Sequence, residues 1–310
     1  MTARLPSAIV LGGGGFLGVN LCRRLVVSGR RVRAFGRSYP FPQALAGVDW
    51  YQGEFSDASA LADAIKSYDI VFHLVHTTTP YSANLDMTAD LQNVSSSIAL
   101  FDVCRSLGVK RIVFVSSGGV LYGQAKQIPT PEDAPTEPIA AHGISKLAIE
   151  KYLAVYEYLY GLDYRVLRVG NPFGPFQMAM KNQGVIAASI PRALAGERIE
   201  IWGDGTVVRD YLFVDDVVDA LEAAADDRSD LRVFNIGSSR GRRLTDVIGA
   251  IETQLGRQLE ILWKPGRPVD VPVSVLSIDR AKSVLGWSPK TPFEQGLQQT
   301  IAWWREQTGK

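Results

Sequence analysis

The stretch that most restricts the fold is Gly12-Gly13-Gly14-Gly15-Phe16-Leu17-Gly18. It lies between a short apolar run at 8–11 and a segment, 16–28, whose apolar residues recur at helical spacing. A strand that passes through glycine directly into a helix opens a βαβ unit, because the backbone must turn tightly there and start a helix within a few residues. Such a turn leaves amides and a helix N-terminus facing one point, which suits a pyrophosphate. The alternative is a tight turn with no ligand. Gly12, Gly15 and Gly18, with Phe16 and Leu17 between them, are candidate cofactor contacts.

Apolar runs rich in β-branched residues continue at 32–35, 69–74, 111–115 and 164–168, interleaved with helical segments at 86–107 and 142–160. This alternation predicts right-handed crossovers and a parallel sheet covered on both faces. The runs are apolar throughout, as strands buried on both sides are. The predicted class is α/β: a Rossmann-type doubly wound parallel sheet with a smaller C-terminal substrate-binding lobe. Past Arg168 the rhythm breaks into Pro- and Gly-bearing loops at 171–175 and 203–206. A dinucleotide-binding domain is expected over 1–170 and a mainly substrate-binding lobe over 171–310. The stretch 207–237 is expected to return to the first domain, since 210–225 and 233–237 look regular enough to rejoin the sheet. The segment 128–138, with four prolines, reads as an irregular surface excursion.

Charge is balanced, with 33 Lys+Arg against 32 Asp+Glu in 310 residues. No overall field draws the chain to nucleic acid or to an anionic membrane, so neither partner is expected and phosphate recognition has to be local. Cys22 and Cys104 are too few for a disulfide framework and sit in apolar helical contexts, which points to a reducing compartment. Residues 1–7 hold no apolar stretch of secretory type and no uncharged run approaches the length of a membrane span, so a cytoplasmic location is expected. His73 and His76 have no further ligand-spaced residues beside them; no metal is expected, and His73 reads as a satisfied strand-end histidine.

Several further stretches narrow the reading. They are Val115-Ser116-Ser117-Gly118-Gly119-Val120-Leu121-Tyr122-Gly123 and His142-Gly143-Ile144-Ser145-Lys146, then Asn171-Pro172-Phe173-Gly174-Pro175, Gly203-Asp204-Gly205-Thr206-Val207-Val208-Arg209-Asp210-Tyr211 and Val214-Asp215-Asp216-Val217. Together with the Gly-x-x-Gly-x-x-Gly turn, they resemble the extended short-chain dehydrogenase/reductase family, in particular its nucleotide-sugar epimerases and dehydratases. The resemblance spans nearly the whole chain.

It implies roles for particular residues. The family's catalytic segment reads Tyr-x-x-x-Lys, in which the tyrosine transfers a proton and the lysine lowers its pKa; here His142 takes the tyrosine position and Lys146 the lysine position. The family's serine or threonine, four residues before Tyr122, is replaced by Gly118, leaving Ser117 as an auxiliary donor and Tyr122 as a hydroxyl presented to the pocket. An imidazole with an ordinary pKa of roughly 6.5 is a neutral base at pH 7 without help. It stops roughly an ångström or two short of a phenolic oxygen, a gap that a water or a shifted substrate would have to close. Gly119-Val120 stands where dehydratases need an Asp-Glu pair, which argues against 4,6-dehydration.

For the cofactor, Leu74, Val75 and His76 resemble the family's lining turn, Glu54 with Phe55 falls at its acidic position near the adenine amine, and Lys146 would orient the nicotinamide ribose. NAD-preferring members carry an acidic residue where Gly36 stands. Arg37 beside it either pairs with a 2′-phosphate or is a solvated charge, so NAD and NADP both stay open. For a UDP- or GDP-sugar substrate, Asn171, Arg209 and Arg267 fall at diphosphate contacts and Asp270 at a ribose or sugar contact. Val185 belongs to the same set, and Trp202 either flanks the base or is a half-buried aromatic at a strand end.

The function so implied is that of an NAD(P)-dependent nucleotide-sugar epimerase: hydride leaves C4, the 4-keto sugar turns in the pocket, and hydride returns to the other face, with His142 as acid and base. Two rivals stay open, a catalytically impaired protein that binds NAD(P) and a sugar nucleotide, and an NADPH-dependent 4-keto-sugar reductase. In relatives the helices at 86–107 and 142–160 pair across a two-fold axis, which implies a homodimer.

Overall fold

The computed structural model describes residues 5–178, 184–266 and 271–309. Seven parallel strands form one sheet: β1 (Ala8–Leu11), β2 (Val32–Gly36), β3 (Asp49–Gln52), β4 (Ile70–His73), β5 (Arg111–Ser117), β6 (Tyr164–Val169) and β10 (Val233–Ile236). Their spatial order is β3-β2-β1-β4-β5-β6-β10, with every neighbouring pair parallel. The chain winds away from β1 on one side and resumes at β4 on the other, and the divergence opens a crevice at the carboxyl ends of these two strands.

Alternate residues of each strand feed two cores. Ala8 and Val10 of β1 join Val113, Leu167 and Val169 beneath α1 (Phe16–Val27), α7 (Val214–Asp226) and α9 (Asp279–Leu285). Ile9 and Leu11 join Ile112, Phe114 and Val166 on the other face, beneath α2 (Ala58–Ile65), α4 (Met87–Ser106) and α5 (Ala141–Tyr160). Side chains of both parities leave water, and for that reason the strands read as continuous apolar runs.

Helix α4 ends within a residue of the expected 86–107, because Asp86 is its N-cap and accepts from Ala89 N at 2.9 Å. The short α3 (Pro80–Leu85) precedes it, started by a Thr79–Ser82 capping box. Nothing in the sequence pattern marked β3 or α2. β3 is an edge strand with exposed ends, so no apolar run betrays it, and α2 has only two turns, started by Asp57, which accepts from Ser59 N and Ala60 N.

The second lobe is built on β9 (Val208–Phe213), which pairs with β7 (Asn171–Phe173), β11 (Gly241–Arg243) and β13 (Val273–Ser274). A two-stranded sheet of β8 (Ile199–Trp202) and β12 (Ile261–Lys264) lies apart from it. Helices α6 (Val185–Ala195), α8 (Leu244–Leu255) and α10 (Phe293–Thr308) gather Ile190, Ile251, Leu297 and Trp304 around Phe173 and Phe213. Of the stretch 207–237, only the part from Val214 onward rejoins the main sheet: α7 lies against α1 and β10 beside β6, whereas β9 has its edges taken by its lobe partners.

Nor is 128–138 merely a surface excursion. Thr130 is buried, its amide donates to Val275 O at 2.8 Å and its carbonyl accepts from Ser277 N at 2.9 Å, tying the proline-rich segment to the lobe. No described helix is long and apolar enough to cross a membrane.

Candidate active site

The turn after β1 is shaped by what its glycines lack. A Cβ on Gly18 would lie 2.1 Å from Gly12 O, and one on Gly13 would lie 2.5 Å from Ala34 Cβ. Gly12 itself has φ +85°, which glycine adopts without strain. Helix α1 starts from Gly15 with no side-chain cap, so its first-turn amides, those of Phe16 and Leu17 among them, remain oriented for an anion. Val75, following β4, lies against Gly12, its Cγ2 3.4 Å from the position a Cβ there would take. This cradle, with a close backbone approach and an uncapped helix, fits the pyrophosphate of a dinucleotide.

At the end of β2, a Cβ on Gly36 would stand 3.2 Å from Trp50 Cη2, and Trp50 stacks on Tyr39 with ring centroids 4.7 Å apart. A carboxylate at Gly36 would press on that indole. Arg37 and Glu54 are exposed, whereas Phe55 is buried with its ring 5.0 Å from that of His73. His73 is satisfied at one nitrogen only: Nε2 meets Ser97 Oγ at 2.9 Å, and Nδ1 has no partner.

The first two turns of α5 bring His142, Ser145 and Lys146 into the interior beside the ends of β4 and β5. Lys146 Nζ donates to Val115 O at 2.8 Å and lies 4.7 Å from the centre of the Phe114 ring. Burial pushes its ammonium down to a pKa of about 7, against the opposing pull of Glu150 and Asp90. Burial first, and the Lys146 charge second, hold His142 at about 4, with Asp90 pulling the other way. The imidazole is neutral at pH 7, as expected, but a weaker base than an exposed one.

Asp90, which no motif pointed to, completes this wall. Its carboxylate is buried, takes a 3.2 Å contact from His76 Nε2, and accepts from the hydroxyls of Ser145 and Thr78. The His76 ring meets His142 edge-on, with centroids 4.3 Å apart, and Nδ1 of each ring is buried without a hydrogen-bond partner. One ring nitrogen of each histidine and one Asp90 oxygen lie within 4.8 Å of one another. The expectation that His76 has no ligand-type neighbours is thereby corrected: the three residues are far apart along the chain, so spacing could not reveal them. A signal was present in α4, where Asp90, Asn93 and Ser97 are buried polar residues on one helical face.

Ser117 closes β5, and its Oγ and Asn171 Oδ1 lie 3.9 and 3.8 Å from where a Cβ of Gly119 would be, so two polar side chains converge there. At Gly118 there is no comparable room. A Cβ would lie 2.4 Å from Leu276 Cδ1, so the space of the expected hydroxyl-bearing residue is filled by a buried leucine from the far end of the chain. Ser116 Oγ, next along β5, is buried without a partner.

Tyr122 does not present its hydroxyl to an open pocket. It donates to Asn235 Oδ1 at 2.7 Å and accepts from Arg168 Nη1 at 2.9 Å, inside a buried network in which Arg168 also pairs with Glu150. A phenol committed to two internal partners is a structural group. Arg209, in β9, donates to Val271 O at 2.6 Å, Val185 is the first residue of α6, and Trp202 is partly exposed at the end of β8. Arg267 and Asp270 lie outside the described residues. The aspartates of the neighbouring motifs act as anchors. Asp210 accepts from Ser238 N at 2.6 Å and from Leu276 N at 3.1 Å, and Asp216 accepts from Lys290 N at 2.8 Å and Thr291 N at 3.0 Å.

A glycine cradle at a topological switch point, a buried lysine one helical turn from a buried histidine, and a second lobe built from the later part of the chain define a dinucleotide-dependent enzyme of the doubly wound α/β class. Comparison with known proteins agrees: the NAD dependent epimerase/dehydratase family model matches residues 8–237. A UDP-glucose 4-epimerase of Mycolicibacterium smegmatis is 32% identical over 310 residues, covering 97% of this chain and 99% of its own. The crystal structure of UDP-glucose 4-epimerase with UDP-glucose from Thermotoga maritima superposes with a TM-score of 0.92 at 33% identity, over 97% of this chain and 99% of that one. The Thermus thermophilus UDP-glucose 4-epimerase in complex with NAD gives 0.91 at 30% identity, over 96% and 99%. The chain belongs to the NAD-dependent epimerase/dehydratase family of the extended short-chain dehydrogenases/reductases, whose members act on nucleotide sugars.

Proposed function

We propose that the chain is an NAD(P)-dependent nucleotide-sugar 4-epimerase in which His142 replaces the usual tyrosine as acid and base. Bound NAD(P) supplies a reversible hydride acceptor, so no net reductant is consumed. His142 takes the C4 hydroxyl proton as hydride departs and gives it back once the 4-keto sugar has turned over in the pocket. Lys146 orients the nicotinamide ribose, Ser117 supplies a polar contact beside the reacting oxygen, and Asn171 contacts the diphosphate. Arg209, Arg267, Asp270, Val185 and Trp202 bind the UDP- or GDP-sugar. The observation that carries this reading is the continuous run of contacts from Gly12 through Val75 and His76 to His142, which joins the cofactor cradle to a buried imidazole beside Lys146.

The test is an epimerase assay over a panel of UDP- and GDP-sugars, with mass spectrometry of whatever co-purifies with the protein. Interconversion of C4 epimers without net nicotinamide turnover is the expected result. The reading is abandoned if neither the protein nor its His142→Tyr variant epimerises any member of the panel. A 4-keto-sugar reductase is the second reading, favoured by the crowding of Gly36 by Trp50 next to the exposed Arg37, which leaves a 2′-phosphate unopposed; net NADPH oxidation would identify it. A sugar-nucleotide-binding protein without turnover is favoured by Leu276 in the hydroxyl's place, and tight UDP-sugar binding with no product would identify that. Exposed Leu91 of α4 with Ile144, Val155 and Tyr158 of α5 supports a homodimer through these helices, to be read as twice the monomer mass by light scattering.

A further inference from the structure

We propose that His76, Asp90 and His142 form a binding site for a divalent transition-metal ion of the zinc, cobalt or iron(II) type. Two imidazoles and one carboxylate are the donor set that such ions select, and a set with two nitrogen donors and one carboxylate suits them better than calcium or magnesium, which take mostly oxygen. The donor atoms already lie within 4.8 Å of one another. A tetrahedral ion with bonds of about 2.1 Å needs donors roughly 3.4 Å apart, so the three side chains have to draw closer on binding.

A second, independent observation points to a ligand. The Nδ1 atoms of His76 and His142 are both buried with no hydrogen-bond partner. Leaving a buried polar atom unpaired costs about 1–3 kcal/mol, and here two such atoms stand on rings whose centroids are 4.3 Å apart, beside a buried carboxylate. The supporting groups are also present: the hydroxyls of Ser145 and Thr78 hold the Asp90 carboxylate in place, as outer partners hold metal-ligating carboxylates elsewhere. Asp90 and His142 stand on the long helices α4 and α5, which fixes two of the three donors on rigid elements. The Lys146 ammonium opposes a dication, and the Asp90 carboxylate offsets it.

A neutral imidazole keeps one N–H and has one basic lone pair, so an ion on that lone pair of His142 excludes the second proton that would make it imidazolium. Metal binding would therefore compete with any acid–base work by that ring. The inference itself does not depend on the epimerase reading, and its test uses neither sugar nor nicotinamide.

Tag-free, chelator-treated full-length protein is titrated with cobalt(II) chloride and followed by visible ligand-field absorption, then chased with zinc. One ion per chain is expected, displaced stoichiometrically by zinc, with affinity falling on the order of a hundredfold in His76→Ala and in Asp90→Asn. Circular dichroism establishes that each variant is folded. Should Asp90→Asn fail to fold, His142→Ala replaces it, and a zinc-dependent rise in the melting temperature of the wild-type chain gives a separate reading of affinity. The proposal is overturned if the folded wild-type protein takes up no stoichiometric cobalt or zinc below millimolar concentration, or if uptake is the same in the folded variants.

Discussion

The two ends of the crevice are built by different means. At the cofactor end the chain is constrained by backbone: Gly13 and Gly18 sit where any side chain would strike a neighbour, Gly12 holds a φ of +85°, and the first-turn amides of α1 are left without a side-chain cap. At the other end side chains from distant places gather: His76 after β4, Asp90 in α4 and His142 with Lys146 in α5, while Leu276 from the last quarter of the chain fills the space at Gly118. A backbone cradle tolerates almost no substitution because every alternative to glycine clashes. A side-chain cluster can exchange one member for another as long as its neighbours adjust, and this end holds His142 and Gly118.

The contrast can be broken most forcefully at Gly18. Gly18→Val puts a branched side chain where even a Cβ lies 2.1 Å from Gly12 O, so dinucleotide binding should be lost by at least about a hundredfold and stability should fall by about 1–3 kcal/mol, read by calorimetric titration and urea unfolding. Next in size is His142→Ala, expected to lower epimerase turnover by about 10²–10⁴ while leaving dinucleotide affinity within a few-fold. Equal loss of both would mean that the imidazole supports the cradle instead of the chemistry. Gly118→Ser should destabilise by about 1–3 kcal/mol because its side chain runs into Leu276. Combining it with Leu276→Ala should cost less than the two changes separately, with a coupling of about 0.5–3 kcal/mol in a denaturation cycle; strict additivity would show that the two positions do not share space. Smallest is Arg37→Ala, expected to weaken NADP binding by a few-fold and leave NAD binding unchanged, as befits an exposed cation.

Legibility in the sequence follows the same division. The sheet and its switch point were readable because buried parallel strands are apolar runs and the glycine turn is contiguous. The start of α4 was readable because Asp86 caps it. Edge strand β3 and short α2 were not, since neither carries a periodic signal long enough to stand out. Within the candidate site, His142 and Lys146 stood out through the resemblance of their segment to Tyr-x-x-x-Lys, and both are buried at the start of α5. Asp90 was missed because its partners, His76 and Ser145, arrive from other elements. Tyr122 was misread for the same reason: position beside the strand end suggested an open hydroxyl, whereas Asn235 and Arg168, both distant in sequence, enclose it.

The leucine that occupies the room beside Gly118 also limits how this protein can change. A codon change that restores a hydroxyl at that position meets a methyl group already in place, and trimming Leu276 alone leaves a void in a packed interior. Either route passes through a less stable protein before the second change arrives. Directed evolution toward ordinary family chemistry should therefore succeed with libraries that vary both codons together and stall with libraries that vary them one at a time.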